Sequence, residues 1–503
     1  MTGHAEPAAD GTALMRRRQA VLAGAAIGVL ALAAAGSGTG PGAGPGPGIA
    51  ARPGWAAAPA LSISPGARVS AAADSPAGVG LTPAQIRTAY DLDPLLARGI
   101  SGRGQTIVIV DSFGSPTIGR DLTGFDQAFG LPPPPAFTVI QPAGVVPPYR
   151  ATSNREGWAT ETTLDVEWAH VMAPAARILL AETPTSENEG TTGFPQIVAA
   201  EEYVLRNHLG QVISQSFAAT EQTFPSRASL LSLRAAYRLA SARHVTVLAA
   251  TGDTGATGET YNMRDLYTSR AVQWPATDPL VTAVGGTQLD LTSSGVRRRP
   301  DIAWSDGGGG RSIVFARPAY QDGVAGVTGS RRGVPDIAMD ASCASGVAIY
   351  ASFGGTGPEH WDGVCGTSLA TPLLAGVVAL ADQVAGHPLG LINPALYRML
   401  AHHERGLTDI LTGSNSMTFD QGGTEHTVAG FSARRGYDLV SGTGTIDARY
   451  FVPELARAAG RAPAAPAPAL PRAGAPAGLP TGLPGLARGA GAVAGRLSVA
   501  PLS

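Results

Sequence analysis

The sequence predicts an α/β fold with a mostly parallel central sheet and helices on both faces. Three observations predict it. Short apolar, β-branched runs alternate with stretches of helical length between about residues 81 and 455. Several of these runs end in a polar or acidic residue, as buried strands do at the carboxyl edge of such a sheet. Apolar residues make up 44% of the 503, enough to cover two faces of a sheet.

The elements follow in order. Gln105-Thr106-Ile107-Val108-Ile109-Val110-Asp111 is a buried strand by composition. Residues 121–129 and 160–172 have helical spacing, and residues 176–181 form a second strand. A helix over 194–207 leads to a strand at 211–214, and a helix over 227–242 leads to one at 245–250. A further strand spans 280–284, and an apolar helix spans 373–384, with no breaker before Gly386. In this class of fold, sites gather beyond the carboxyl ends of the strands. That rule alone points to Asp111, Ser214 and residues 251–255.

The ends of the chain read differently. Arg16, Arg17 and Arg18 precede an apolar run over 20–35, with small residues at 31, 33 and 35. This pattern predicts a signal peptide over 1–35, the run being shorter than the ~20 residues of a membrane span. Residues 36–80 are rich in Gly, Ala and Pro and read as a linker. The same composition over 456–503 reads as a disordered tail. A secreted folded unit over 81–455 is therefore expected, with no stable membrane association once the signal is cleaved. Basic and acidic residues nearly balance, 36 against 38, which gives nucleic acid no electrostatic footprint. Two cysteines, Cys343 and Cys365, exclude a disulfide scaffold and a cysteine-based zinc site. In an exported protein they are expected to form one bridge, bracing the segment three residues before Ser368.

Gly366-Thr367-Ser368-Leu369-Ala370-Thr371-Pro372 is the most informative stretch. Ser368 falls at a loop-to-helix junction, where backbone N–H groups are free and the helix dipole is positive. Both features suit a serine whose attack creates an oxyanion, although an N-cap serine has the same signature. The segment resembles the nucleophile of the subtilisin-like clan of serine peptidases. None of the nine histidines lies in the His-Gly-Thr-His segment of subtilisins proper. In its place stand Glu161 and Asp165, four apart, followed by Ala173-Pro174 and a strand, which resembles the sedolisin family, the serine-carboxyl peptidases. Thr251-Gly252-Asp253-Thr254-Gly255, Ala283-Val284-Gly285-Gly286-Thr287, Ala303-Trp304-Ser305-Asp306 with Gly307 to Gly310, and Val334-Pro335-Asp336-Ile337 resemble that family's other landmarks, in its order. Leu81-Thr82-Pro83-Ala84-Gln85-Ile86 resembles its domain start.

The resemblance implies a subtilisin-like fold and a secreted serine-carboxyl endopeptidase acting on polypeptide substrates at acidic pH, as a monomer. Ser368 would be the nucleophile, Glu161 its general base and Asp165 the group that orients Glu161. Asp253, held protonated, would donate to the oxyanion beside the Ser368 N–H. Residues at i and i+4 share one helix face, and two crowded carboxyls titrate as a unit. Asp111, without a partner histidine, is expected to be structural, while Ser214 and Ser216 are expected near the substrate cleft. Asp409 and Asp438, with the carbonyls of Ile410, Arg434 and Gly436, resemble the family's Ca2+ site, an all-oxygen set suited to a hard cation. Arg434 stands where the family pattern has glycine. The large folded pro-domain usual in the family is not seen between the signal and Leu81. A non-catalytic, secreted binding protein on the same fold is the alternative, and the full set of four site residues argues against it.

Overall fold

The computed structural model describes residues 62–63, 79–187, 189–354 and 360–460. The expected signal peptide, nearly all of the linker and the tail beyond residue 460 lie outside the described residues. The final helix runs to Ala459, four residues past the expected boundary at 455.

In chain order the sheet strands are β1 (Thr106–Ser112), β2 (Phe137–Ile140), β3 (Arg177–Thr183), β4 (Val212–Gln215), β5 (Thr246–Ala250), β6 (Thr282–Gln288), β7 (Ile302–Ala303) and β8 (Ile337–Asp340). They form one eight-stranded sheet in the order β7-β6-β5-β4-β1-β3-β2, with β8 also paired to β6. All pairs are parallel except β7 with β6. The mostly parallel sheet is therefore as expected. Strand β1 is central, with β3 on one side and β4 on the other. The chain winds outward in opposite directions from that point, which opens a crevice at the carboxyl ends of β1 and β4.

The period-2 alternation of strand side chains divides the core into two layers. Ile107 and Ile109 pack with Leu164, Trp168 and Leu373 on one face. Val108 and Val110 pack with Phe194, Ile197 and Tyr237 on the other. The first face is covered by α1 (Ser153–Met172), α2 (Thr367–Ala385) and α3 (Ala448–Ala459). The second face is covered by a helix at Phe194–Arg206 and one at Ala235–Ala242. The helix expected over 227–242 is divided into Arg227–Ser232 and Ala235–Ala242. The break falls at Leu233 and Arg234, where Asp278 holds the Arg234 guanidinium at 2.8 Å.

Two helices position the site. Helix α1 begins at Ser153, seven residues earlier than expected, because Thr152 caps it by accepting the Arg155 N–H at 3.4 Å. Gly157, just after that first turn, weakens its helical signature in the sequence. Helix α2 is long and apolar enough to cross a membrane, yet most of it is buried inside the domain. The two helices pack closely at Gly376, where a Cβ would lie 2.4 Å from that of Met172. Any side chain there would push α1 and α2 apart.

Candidate active site

From about Trp158 onward, α1 is buried on all sides, so its acidic residues cannot form a solvated face. Glu161 and Asp165 are both 0% exposed. Ser368, the second residue of α2, is equally buried. The Ser368 hydroxyl faces the Glu161 carboxyl and lowers its pKa. No short, aligned hydrogen bond closes on either Glu161 oxygen among the described residues.

The link from Asp165 to the nucleophile runs through Ser216. Pro372 has no N–H, so the Ser368 carbonyl four residues earlier lacks its partner within the helix. The Ser216 hydroxyl lies 3.3 Å from that carbonyl oxygen and donates to Asp165 Oδ1 at 2.9 Å. Ser216 lies just beyond β4, in phase with Val212 and Ser214, and so faces the layer that holds α1 and α2. Ser214 is buried, and its Oγ has no partner among the described residues.

Asp253 follows β5 and caps the start of α2. Its Oδ1 accepts the Thr367 N–H at 2.8 Å and the Thr367 hydroxyl at 2.8 Å. The Thr367 Oγ1 in turn accepts the Gly252 N–H at 3.1 Å. The Asp253 residue is half-buried, but its Oδ2 is cut off from solvent and unpartnered among the described residues. The donor that meets Asp253 is thus Thr367, the residue before the nucleophile. Sequence reasoning passed over Thr367, although the Gly-Thr-Ser order placed it at the helix start.

The electrostatics of the site are dominated by burial. Loss of solvent pushes the Glu161 carboxyl well above its ordinary range, the Asp111 charge adds to this, and the Ser368 hydroxyl opposes it. Asp165 is raised in the same way by burial and then by Asp111 and Glu161, against the Ser216 hydroxyl. Burial lifts Asp253 to about 8 despite its two Thr367 donors, with Asp306 and Glu259 contributing further. Asp111, at the carboxyl end of β1, is raised to about 7, chiefly by burial. The structure therefore brings together Ser368, Glu161, Asp165 and Asp253, and adds Asp111, Ser216 and Thr367 to the same crevice.

The two cysteines are joined, Cys343 to Cys365, with 4.9 Å between their Cα atoms. The bridge ties β-strand His360–Cys365, which leads into α2, to the segment after β8.

At the expected cation site, backbone contacts join Gly436 to Asp409 and Arg434 to Asp438. The Gly436 N–H donates to Asp409 Oδ2 at 2.8 Å, and the Arg434 N–H to Asp438 Oδ2 at 2.9 Å. Asp438 is 1% exposed, and neither aspartate forms an ion pair with arginine among the described residues. Burial raises the Asp438 pKa against its several N–H donors. A buried carboxylate without a counter-charge fits a bound cation. Gly436 has φ +76°, which demands glycine, whereas Arg434 is not among the positive-φ residues. The non-glycine residue at 434 is therefore accommodated.

Comparison with known proteins identifies the family and the fold. The Subtilase family model matches residues 153–422. Kumamolisin of Bacillus sp. (strain MN-32) is 32% identical over 346 residues, 65% of this chain and 57% of that protein. Sedolisin of Pseudomonas sp. (strain 101) is 27% identical over 401 residues, covering 75% and 62%. Human tripeptidyl-peptidase 1 is 27% identical over 384 residues, covering 73% and 63%. The chain thus matches about three-fifths of the length of these relatives. The solved structure of Pseudomonas sedolisin, a serine-carboxyl proteinase complexed with pseudo-iodotyrostatin, superposes with a TM-score of 0.62 at 24% identity, over 74% of this chain and 97% of that one. That likeness establishes the subtilisin-like fold.

Proposed function

As the chain belongs to the subtilase family, on its sedolisin branch, we propose that it is a secreted serine-carboxyl peptidase that hydrolyses peptide bonds at acidic pH. The observation that carries this reading is the buried Glu161 carboxyl facing the hydroxyl of Ser368 at the start of α2. A serine so placed needs a base, and the group its hydroxyl faces that can accept the proton is Glu161.

In the proposed reaction the Ser368 Oγ attacks the scissile carbonyl carbon, and Glu161 takes the hydroxyl proton. Asp165 holds the proton shared with Glu161 and orients it. Ser216 supports this arrangement. A hydroxyl has one proton, yet Ser216 Oγ approaches both Asp165 Oδ1 and the Ser368 carbonyl. The Ser216 proton is shared between these two acceptors, which leaves the Asp165 proton for Glu161. The developing oxyanion forms beside the start of α2, where the helix dipole is positive. Protonated Asp253 donates to it through Oδ2, while its Oδ1 stays fixed by Thr367. The Glu161 proton then passes to the leaving amine, and water reverses the sequence to release the acyl product.

Asp409, Asp438 and the carbonyls of Ile410, Arg434 and Gly436 would hold a single Ca2+ ion. Its contribution is structural, a point charge that neutralises two carboxylates and pins the loop before the last helix. Cleavage of internal bonds is the mode we assign. Removal of tripeptides, the action named for human tripeptidyl-peptidase 1, gives a different product pattern. A digest of an unbiased peptide library at pH 4 by wild type and Ser368→Ala tests the reading. Cleavage is expected from the wild type alone, and substantial cleavage by a folded Ser368→Ala variant would overturn the nucleophile assignment.

A further inference from the structure

The turn that carries Asp253 is held from two sides. On one, Thr367 fixes Asp253 Oδ1 and takes the Gly252 N–H. On the other lies the glycine-rich segment after β7, which the proposed mechanism does not use. The Gly308 N–H donates to the Gly252 carbonyl at 2.7 Å, and the Gly255 N–H donates to the Asp306 carbonyl at 2.7 Å. A Cβ at Gly308 would lie 2.0 Å from the Thr251 carbonyl oxygen, so only bare backbone can approach the turn this closely. Asp253 Oδ2 has no partner among the described residues, so its direction is set by Thr367 and by the backbone of this turn.

Asn415 sits behind the glycine segment and is 0% exposed. Its Nδ2 donates to the Gly307 carbonyl at 3.2 Å and to the Gly309 carbonyl at 3.4 Å. Its Oδ1 accepts the Phe431 N–H at 2.8 Å. Its own N–H donates to the Phe431 carbonyl at 3.1 Å, and its main-chain carbonyl accepts the Ala256 N–H at 2.8 Å. An amide side chain alone can serve two carbonyls and an N–H at once; an ionised carboxylate cannot donate, and a hydroxyl has one proton. A buried, fully bonded asparagine is ordinarily a loop staple. Here the bonds go to both halves of one assembly: the side chain holds the glycine segment, and the main chain holds the end of the Asp253 turn.

We propose that Asn415 is a positioning residue for the oxyanion donor: it clamps the glycine segment 307–309 against the turn 251–256 and so fixes where Asp253 Oδ2 points. This rests on the peptidase reading above. Asn415 touches neither the substrate nor the reacting atoms and acts only through Asp253. An oxyanion donor works by being in place before charge develops, and a displacement of about 1 Å can cost on the order of a hundredfold in rate. Loosening the clamp therefore weakens transition-state binding and leaves the contacts that hold the ground-state substrate in place. The loss belongs in kcat, with KM little changed.

Three measurements on Asn415→Ala test this, with thermal unfolding checked to confirm a folded protein. Hydrogen exchange reads the clamp without reference to catalysis: amides over 252–256 and 307–310 should exchange at least about tenfold faster, while those of β1 and β3 keep wild-type rates. Kinetics on a peptide substrate at pH 5 should show kcat reduced at least about tenfold with KM within about threefold. The inhibition constant of a peptide aldehyde, whose hemiacetal with Ser368 presents an oxygen where the oxyanion forms, should rise by a similar factor. In an Asp253→Ala background the same substitution should change kcat less than about threefold, because no carboxyl is left to aim. Where Asn415→Ala fails to fold, Asn415→Asp, of the same shape but without the NH2 group, is read by the same measurements. Unchanged exchange in both segments overturns the clamp. Faster exchange with wild-type kcat, or a kcat loss that persists in the Asp253→Ala background, overturns the positioning role. Should the wild type cleave no peptide and bind no aldehyde, the peptidase reading fails, and hydrogen exchange still judges the clamp by itself.

Discussion

Removing one hydroxyl separates the two duties that Ser216 performs. Ser216→Ala deletes the donor that reaches both Asp165 Oδ1 and the Ser368 carbonyl oxygen. The carbonyl then loses that donor, with no N–H from Pro372 to replace it, and a buried acceptor that loses its donor costs about 1–3 kcal/mol. Asp165 loses the contact that fixes it beneath Glu161, and a hydrogen bond to a group of this kind contributes about 1.5–3 kcal/mol. If most of that is felt only as Glu161 takes the proton, kcat should fall about tenfold to a hundredfold with little change in KM, at ~1.4 kcal/mol per factor of ten. The double variant Ser216→Ala/Pro372→Ala restores an N–H opposite the orphaned carbonyl. It should regain about 1 kcal/mol of stability without regaining activity. Steady-state kinetics on a peptide substrate and calorimetric unfolding measure the two effects independently. Wild-type kcat in a folded Ser216→Ala variant would refute the positioning role, and a double variant that recovers rate along with stability would show that only the helix was damaged.

Other expectations follow from the same geometry. A chelator should lower the melting temperature, and Asp438→Ala should abolish that sensitivity; identical melts with and without chelator in the wild type would argue against a bound cation. Gly376→Ala places a Cβ 2.4 Å from that of Met172, so overpacking of about 1–3 kcal/mol should outweigh the ~1 kcal/mol helix-propensity gain and lower both stability and kcat/KM. Stability should decline from pH 4 to pH 8. Asp111 titrates near 7, and Asp253, Glu189 and Asp382 near 8, against ordinary values of 3.8 for aspartate and 4.5 for glutamate. The folded protein keeps protons that the unfolded chain has released, so the stabilisation is complete below about pH 4 and is lost as pH rises through 7–8. Melting temperatures across that range check the sign, and a melting temperature that rises toward pH 8 would contradict it.

Much of this site could be read from local sequence. Asp111, Ser214 and Asp253 stand at or just after strand ends, and a β-branched run closed by a polar residue marks such an end in any parallel sheet. Ser368 is legible because glycine, two hydroxyl residues and a proline announce a helix start. The pairing of Glu161 with Asp165 needed only the helical period. What escaped the sequence depends on contacts between distant elements. Ser216 meets Asp165 across 51 positions and Ser368 across 152, so its bridging place emerges only once β4 lies under both helices. Leu164, Val166 and Trp168 and the family resemblance point to packing around Glu161 and Asp165, but the burial of all of α1 from Trp158 onward was hidden by its threonines and His170, which mimic a solvated face. Asp111 was expected to be structural, and only the packing of β1 against α1 reveals that its charge acts on both Glu161 and Asp165.

The central claim is that carboxyl groups, without histidine, run a serine nucleophile. The pH dependence of kcat/KM between pH 2 and 9, for wild type and Asp253→Asn, tests it most directly. Glu161 must be able to accept a proton, so the rate should fall at the lowest pH as the Glu161–Asp165 pair becomes doubly protonated. Asp253 must carry a proton to donate, so the rate should also fall as pH rises through about 8, leaving a bell with its maximum in the acidic range. Asparagine at 253 donates at every pH and should move the alkaline limb upward or flatten it. A wild-type profile still level at pH 9, or an alkaline limb that Asp253→Asn leaves in place, would contradict the role of a protonated Asp253 and with it the carboxyl mechanism as written.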